Sequence, residues 1–238
     1  MNDHLVLVSG KACTGKSLSL MFLKDPAGVM YLNCESGKRL PFKSKFEEYV
    51  VTDPMQVTEA FAAAETMPHI HTIVVDSLTY LMDMYESVYV LKSSNGMKAW
   101  GDYAQFFKQM MQGLVAKSTK SVIFIAHTTD VMNESEMAQE TLVKVKGSVM
   151  TTGVESYFST VISTKKVPLK LLKEIKNPLL EITPEEEALG FKYVFQTRLT
   201  KETVNERMRG PLGMWATSET FIDNNLQNVI DKLQNYYK

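Results

Sequence analysis

Residues 5–23 read LVLVSGKACTGKSLSLMFL. The stretch joins an apolar run, a loop bounded by glycines, and a segment whose apolar residues recur at helical spacing. HLVLVS predicts a short buried strand, and SLSLMFLK predicts a helix beginning near Ser17. Between them, Gly10, Lys11, Ala12, Cys13, Thr14, Gly15, Lys16 and Ser17 fit the pattern G-x-x-x-x-G-K-[ST]. The chemistry needs that spacing. Glycines let backbone N–H groups turn inward around phosphate oxygens, Lys16 reaches the β- and γ-phosphates, and the Ser17 hydroxyl is a Mg²⁺ ligand. The positive end of the following helix faces the same anion. The expectation is a phosphate-binding loop that, with Leu18, holds ATP and Mg²⁺.

Composition sets bounds on the rest. The chain has 238 residues, 45% hydrophobic and 22% charged, enough for one sizeable core or two small ones. Its net charge of -1 gives no overall field that attracts nucleic acid, so any DNA contact must come from a local patch. The two cysteines, Cys13 and Cys34, make neither a disulfide framework nor a zinc cluster, which points to a reducing, cytoplasmic setting. The first ten residues lack the pattern of a signal peptide. No apolar run approaches the roughly 20 residues that span a bilayer.

Two acids stand where sheet edges collect ligands. In HTIVVDSLTYL (71–81), Ile73 to Val75 read as a buried parallel strand with Asp76 at its C-terminal end. An acid there holds Mg²⁺ through water, or else Asp76 or Ser77 caps the helix that follows. In GVMYLNCESGKRL (28–40), Val29 to Leu32 read as another strand, with Glu35 just past its end. Glu35 is placed either to deprotonate the water that attacks a γ-phosphate or to sit on an exposed loop.

Together these segments resemble RecA-type recombinases. TIVVDSLTYL resembles their Walker B segment, and MYLNCESG the segment with their catalytic glutamate. SVIFIAHTTD (121–130) resembles the strand entering their second DNA-binding loop, and VKGSVMTTGVESYFSTVIST (145–164) the end of that loop, its helix and the next strand. The family usually has glutamine where this chain has His127. The resemblance runs from Leu5 to about Trp215. It implies an α/β fold with a mostly parallel central sheet flanked by helices, followed by a C-terminal β-hairpin and helix. It implies Glu35 as catalytic base. It also implies that the strand Val122–Ile125 lies between the phosphate-loop strand and the Asp76 strand, with His127 beside the γ-phosphate as sensor or strand cap.

LKSSNGMKAW (91–100), with Lys92 and Lys98, stands where such proteins have their first DNA-binding loop. Residues 128–153 are polar and without clear periodicity, and read as a long loop carrying Lys144 and Lys146 but also Glu134, Glu136 and Glu140. Phe191 to Trp215 read as strand, turn and strand. NERMRGPLG within them resembles the hairpin that reaches a neighbour's ATP, which makes Arg207, then Arg209, candidates for a trans arginine finger. Residues 166–190 read as an insertion at the sheet edge. Residues 218–238 read as an amphipathic helix capped by Ser218 and packed on the core. The whole is expected as one RecA-like domain, with its core at about 4–165.

That short form resembles phage-encoded minimal RecA-type ATPases of single-strand annealing, and phage AAA-labelled nucleotide-binding proteins. The resemblance implies an ATP hydrolase that binds single-stranded DNA as a ring or filament, in the host cytoplasm, with a single-stranded DNA-binding protein as a further partner. The alternative is a nucleotide-switched module that recruits a partner with little turnover. A small-molecule kinase is disfavoured, because no arginine lid or acceptor pocket is evident.

Overall fold

The computed structural model describes residues 2–134 and 137–238; Glu136 lies outside them. In chain order the elements are β1 (Leu5–Gly10), β2 (Val29–Asn33), β3 (Glu47–Val50), α1 (Met55–Thr66), β4 (Thr72–Asp76), α2 (Leu78–Tyr85), α3 (Gly96–Gln109), β5 (Ser121–Asn133), β6 (Ala138–Val143), α4 (Gly147–Thr152), β7 (Thr160–Pro168), α5 (Pro184–Leu189), β8 (Phe191–Gln196), β9 (Phe221–Asp223) and α6 (Leu226–Tyr236).

The apolar β-branched runs form the centre of a nine-stranded sheet ordered β3-β2-β4-β5-β1-β7-β8-β9, with β6 paired to β5 alone. The strands from β3 to β7 are parallel, and β8 and β9 are antiparallel. The strand beginning at Ser121 thus lies between the phosphate-loop strand and the Asp76 strand, as expected, with Gly10 in register with His127. This is the mostly parallel α/β sheet and strand order that the resemblance implies.

Alternation within the strands builds two cores. Leu5 and Leu7 of β1, with Ile73 and Val75 of β4, face a cluster containing Val57 and Phe61 of α1 and Tyr103 and Phe107 of α3. Val6, Val8 and Val74 face the other cluster, with Leu20 and the α6 residues Leu226, Val229, Ile230 and Leu233. These four α6 residues are at most 4% exposed, and burying each such side chain is worth about 1.5–3 kcal/mol. The terminal helix therefore packs on the core, as its stripe predicts.

Four local expectations are corrected. The segment after the phosphate loop is a 3₁₀ turn, Ser17–Phe22, rather than an α-helix. Residues 128–153 are largely ordered: β5 continues past the sheet to Asn133, β6 returns antiparallel to it, and α4 follows. The mixed polar sequence hid the pairing because this hairpin stands off the sheet and has only a partly apolar side. The 191–215 segment contributes one strand, β8, followed by irregular chain with Gly210, Pro211 and Gly213; its expected second strand is replaced by β9. Finally, Phe221 and Ile222 belong to β9, and the cap of α6 is Asn225, whose side chain accepts from the Gln227 N–H, not Ser218.

Candidate nucleotide site

The phosphate loop leaves β1 at the C-terminal edge of the sheet, the edge where open α/β folds collect ligands. Its tight path has chemical causes. Cys13 and Gly15 lie at φ 60° and 93°, a region that glycine enters without steric cost. A Cβ on Gly10 would sit 2.1 Å from Thr164 Oγ1. That threonine, on β7, shares a 2.5 Å hydrogen bond with Thr14 Oγ1. Asn224 Nδ2 donates to Gly15 O at 2.7 Å, so the turn before α6 holds the loop from the other side.

Lys16 is only 6% exposed. Its ammonium donates to the loop carbonyls of Gly10 (3.0 Å) and Lys11 (2.7 Å). Burial lowers its pKa to about 8, against the opposing pull of Asp76 and Glu35. A buried cation resting on its own loop's carbonyls suits an anion that would draw it off them. The Lys11 side chain instead pairs outward with Asp130 at 2.7 Å. Ala12 and Cys13 form the exposed crest of the loop, and Leu18 lines the cleft beneath it.

Asp76 ends β4 at 2% exposure. Its Oδ2 accepts from Ser17 Oγ (2.8 Å) and Tyr31 OH (2.9 Å), and its Oδ1 has no partner among the described residues. Burial raises its pKa, while the two hydroxyls oppose the rise. Ser77, not Asp76, caps α2. An orphaned, buried carboxylate oxygen beside a serine hydroxyl fits a hard divalent cation that takes oxygen ligands from protein, phosphate and water. Among the described residues no group of three or more His, Cys, Asp or Glu is placed to hold a metal by itself.

Glu35 follows β2, and its side chain is 9% exposed. His127 Nε2–H donates to Oε1 at 3.2 Å, and Lys38 Nζ donates to Oε2 at 2.7 Å. The histidine bond, then Lys38, hold its pKa at about 2 against burial. His127 is itself fixed: its N–H donates to Thr79 Oγ1 at 3.0 Å, and its ring meets Tyr80 edge-on at 5.6 Å. Lys16, Ser17, Glu35, Asp76 and His127 all line one cleft of about 310 Å³. Cys34 is buried behind it, its thiol pushed up by desolvation.

Sequence reasoning missed Tyr31, Lys38, Thr164, Tyr193 and Asn224. Lys38 carried a signal, being three residues after Glu35. Tyr193 and Asn224 carried none, since only β8 and β9 folding beside β7 brings them to the loop.

A family model described as an AAA domain matches residues 3–168. The chain belongs to the AAA-domain family. The match covers both acids, His127 and the whole phosphate loop, so this AAA-type chain carries a nucleotide-binding P-loop ATPase domain. No curated protein matches it. Among solved structures it is similar to a KaiC-like protein from the hyperthermophilic archaeon Pyrococcus horikoshii OT3, at 12% identity and TM-score 0.48, over 86% of this chain and 82% of that one.

The other candidates do not line this cleft. Lys92 is exposed on the 91–95 linker. Lys98 sits in the first turn of α3, paired with Asp102 at 2.6 Å. Lys144 is exposed, its N–H donating to His127 O, and Lys146 pairs with Glu86 at 2.5 Å. Arg207 is engaged within the chain, 3.0 Å from Glu140 and 3.9 Å from Glu155. Arg209 is exposed, and its backbone pairs with Val161. No helix among the described residues is long and apolar enough to cross a membrane.

Proposed function

We propose that the protein is a Mg²⁺-dependent ATPase that binds single-stranded DNA as an oligomer and promotes annealing or homologous pairing. The observation that carries the hydrolytic part is the convergence of an ionised Glu35, the buried Lys16 and the Ser17–Asp76 pair on one cleft. The loop amides and Lys16 take the phosphates. Glu35 accepts a proton from water as its oxygen bonds to the γ-phosphorus. The bond from that phosphorus to the β–γ bridging oxygen breaks, leaving ADP and inorganic phosphate. His127 keeps the Glu35 carboxylate aimed and senses the γ-phosphate. Ser17 and Asp76 would hold Mg²⁺, which neutralises charge on the phosphate oxygens when bound. Of the two finger candidates, Arg209 is the better supported, because Arg207 is held by Glu140 and Glu155.

A second reading, the nucleotide-switched recruiting module, is favoured by one observation: Lys98 and Lys146 are already neutralised by Asp102 and Glu86. ATP hydrolysis measured with and without single-stranded DNA, with Lys16→Ala as blank, separates the two. Salt-sensitive stimulation supports the first reading. Turnover indifferent to DNA supports the second.

A further inference from the structure

Parallel neighbours need a crossover connection, usually a helix. Between β2 and β3 the chain instead runs through 34–46 without one. Leu40, Phe42 and Phe46 pin this crossover to the core cluster that contains Tyr31. The Phe46 ring lies 6.1 Å from Tyr31 and 6.0 Å from Phe42. Arg39, just before the first pin, and Lys43 and Lys45, between the second and third, are exposed. With Lys38 they make four cations from Lys38 to Lys45, and no acid occurs from Ser36 to Phe46.

Lys38 engages Glu35, whereas Arg39, Lys43 and Lys45 make no ion pair among the described residues. Arg39 and Lys43 line an open cleft of about 480 Å³, with Lys45 on the same crossover, and the cleft's one acidic lining residue, Glu48, is tied to Asn33 Nδ2 at 2.8 Å. Arg39, Leu40 and Pro41 line both this cleft and the nucleotide cleft, so the two adjoin. For a chain of net charge -1 this is a concentrated basic surface, and it differs from the neutralised Lys98 and Lys146.

We propose that the 38–45 crossover is a rail for single-stranded nucleic acid, with successive phosphates pairing with Arg39, Lys43 and Lys45. The inference rests on the reading above that the chain binds single-stranded DNA, and it names a surface for it. A strand suits the rail better than an acidic peptide does. Phe42 and Phe46 are only partly buried and line the same cleft as Arg39 and Lys43, so aromatic faces on which bases stack stand beside the cations that take phosphates. The rail also ends at Lys38. A phosphate that draws Lys38 away leaves Glu35 with His127 alone, which gives bound DNA a route to the attacking water.

The test is fluorescence anisotropy of labelled dT30 across a salt series. The R39A/K43A/K45A variant should bind about tenfold more weakly, and its log–log salt slope should fall by about 2, from about 0.7 per lost phosphate contact. K43R/K45R should bind like the wild type, and K43A/K45A should keep wild-type affinity for a fluorescent ATP analogue. Wild-type affinity and slope in the triple variant would overturn the rail while leaving DNA binding intact. Equal loss in K43R/K45R would also overturn it, since charge would then not be what acts. Wild-type protein that binds no dT30 even at low salt would overturn both the rail and the DNA reading.

Discussion

At the scale of single residues, the decisive feature is a carboxylate held ionised by its neighbours. Glu35 sits in a mostly enclosed position, yet its pKa is held at about 2, first by the hydrogen bond from His127 and then by Lys38. A depressed carboxylate contributes stability that is present above the ordinary carboxylate range, near pH 4.3, and lost as pH falls toward the folded value. In catalysis the same sign holds, since the base stays deprotonated well below neutrality. Replacing His127 with alanine should return the Glu35 pKa toward its ordinary range. The acid limb of a kcat/KM-versus-pH profile should then move to higher pH. An unmoved limb would mean that the histidine bond does not tune this carboxylate. Glu35 was legible as a candidate from its place after an apolar run, but its environment was not. His127 is 92 residues away in sequence, and only the insertion of β5 between β1 and β4 brings the two together.

At the scale of elements, the strands of the central sheet could be read from composition, because strands buried on both faces must be apolar throughout. The elements that failed to declare themselves are those that pack on one side or on each other. The β5–β6 hairpin is held by its own pairing, by the Lys11–Asp130 and Arg207–Glu140 ion pairs, and by backbone contacts of Thr141 with 205–207, none of which leaves a periodic apolar signal. The final strand β9 has three residues, too few to show alternation. The α6 stripe was clear, and its energy is testable. Leu233 is fully buried against the sheet, so Leu233→Ala should cost about 2–5 kcal/mol through lost burial and a residual cavity. The urea midpoint should fall with an unchanged m-value. A loss under about 1 kcal/mol would show that α6 is not an integral layer of the core.

At the scale of the whole molecule, the sheet brings the phosphate loop, both acids and His127 to one edge, while β8 and β9 fold back so that Tyr193 and Asn224 close on Gly15. The fold class was legible through the family resemblance that the phosphate-loop pattern and the apolar strand runs carry. The partners were not, because a net charge of -1 hides where the cations stand. The proposal that the exposed Arg209 acts on a neighbour's nucleotide is tested at this scale. Arg209→Ala should depress ATP turnover at concentrations where the protein self-associates and leave the dilute protein's rate unchanged. A uniform loss at all concentrations would assign the arginine to its own subunit. The hydrolytic reading depends on Glu35 acting as the base in that shared cleft. The most direct measurement is single-turnover ATP hydrolysis by wild type and Glu35→Gln, with nucleotide affinity measured in parallel. The account predicts near wild-type ATP affinity with hydrolysis slowed by about 10²–10⁴-fold; a variant that hydrolyses ATP at the wild-type rate would contradict it.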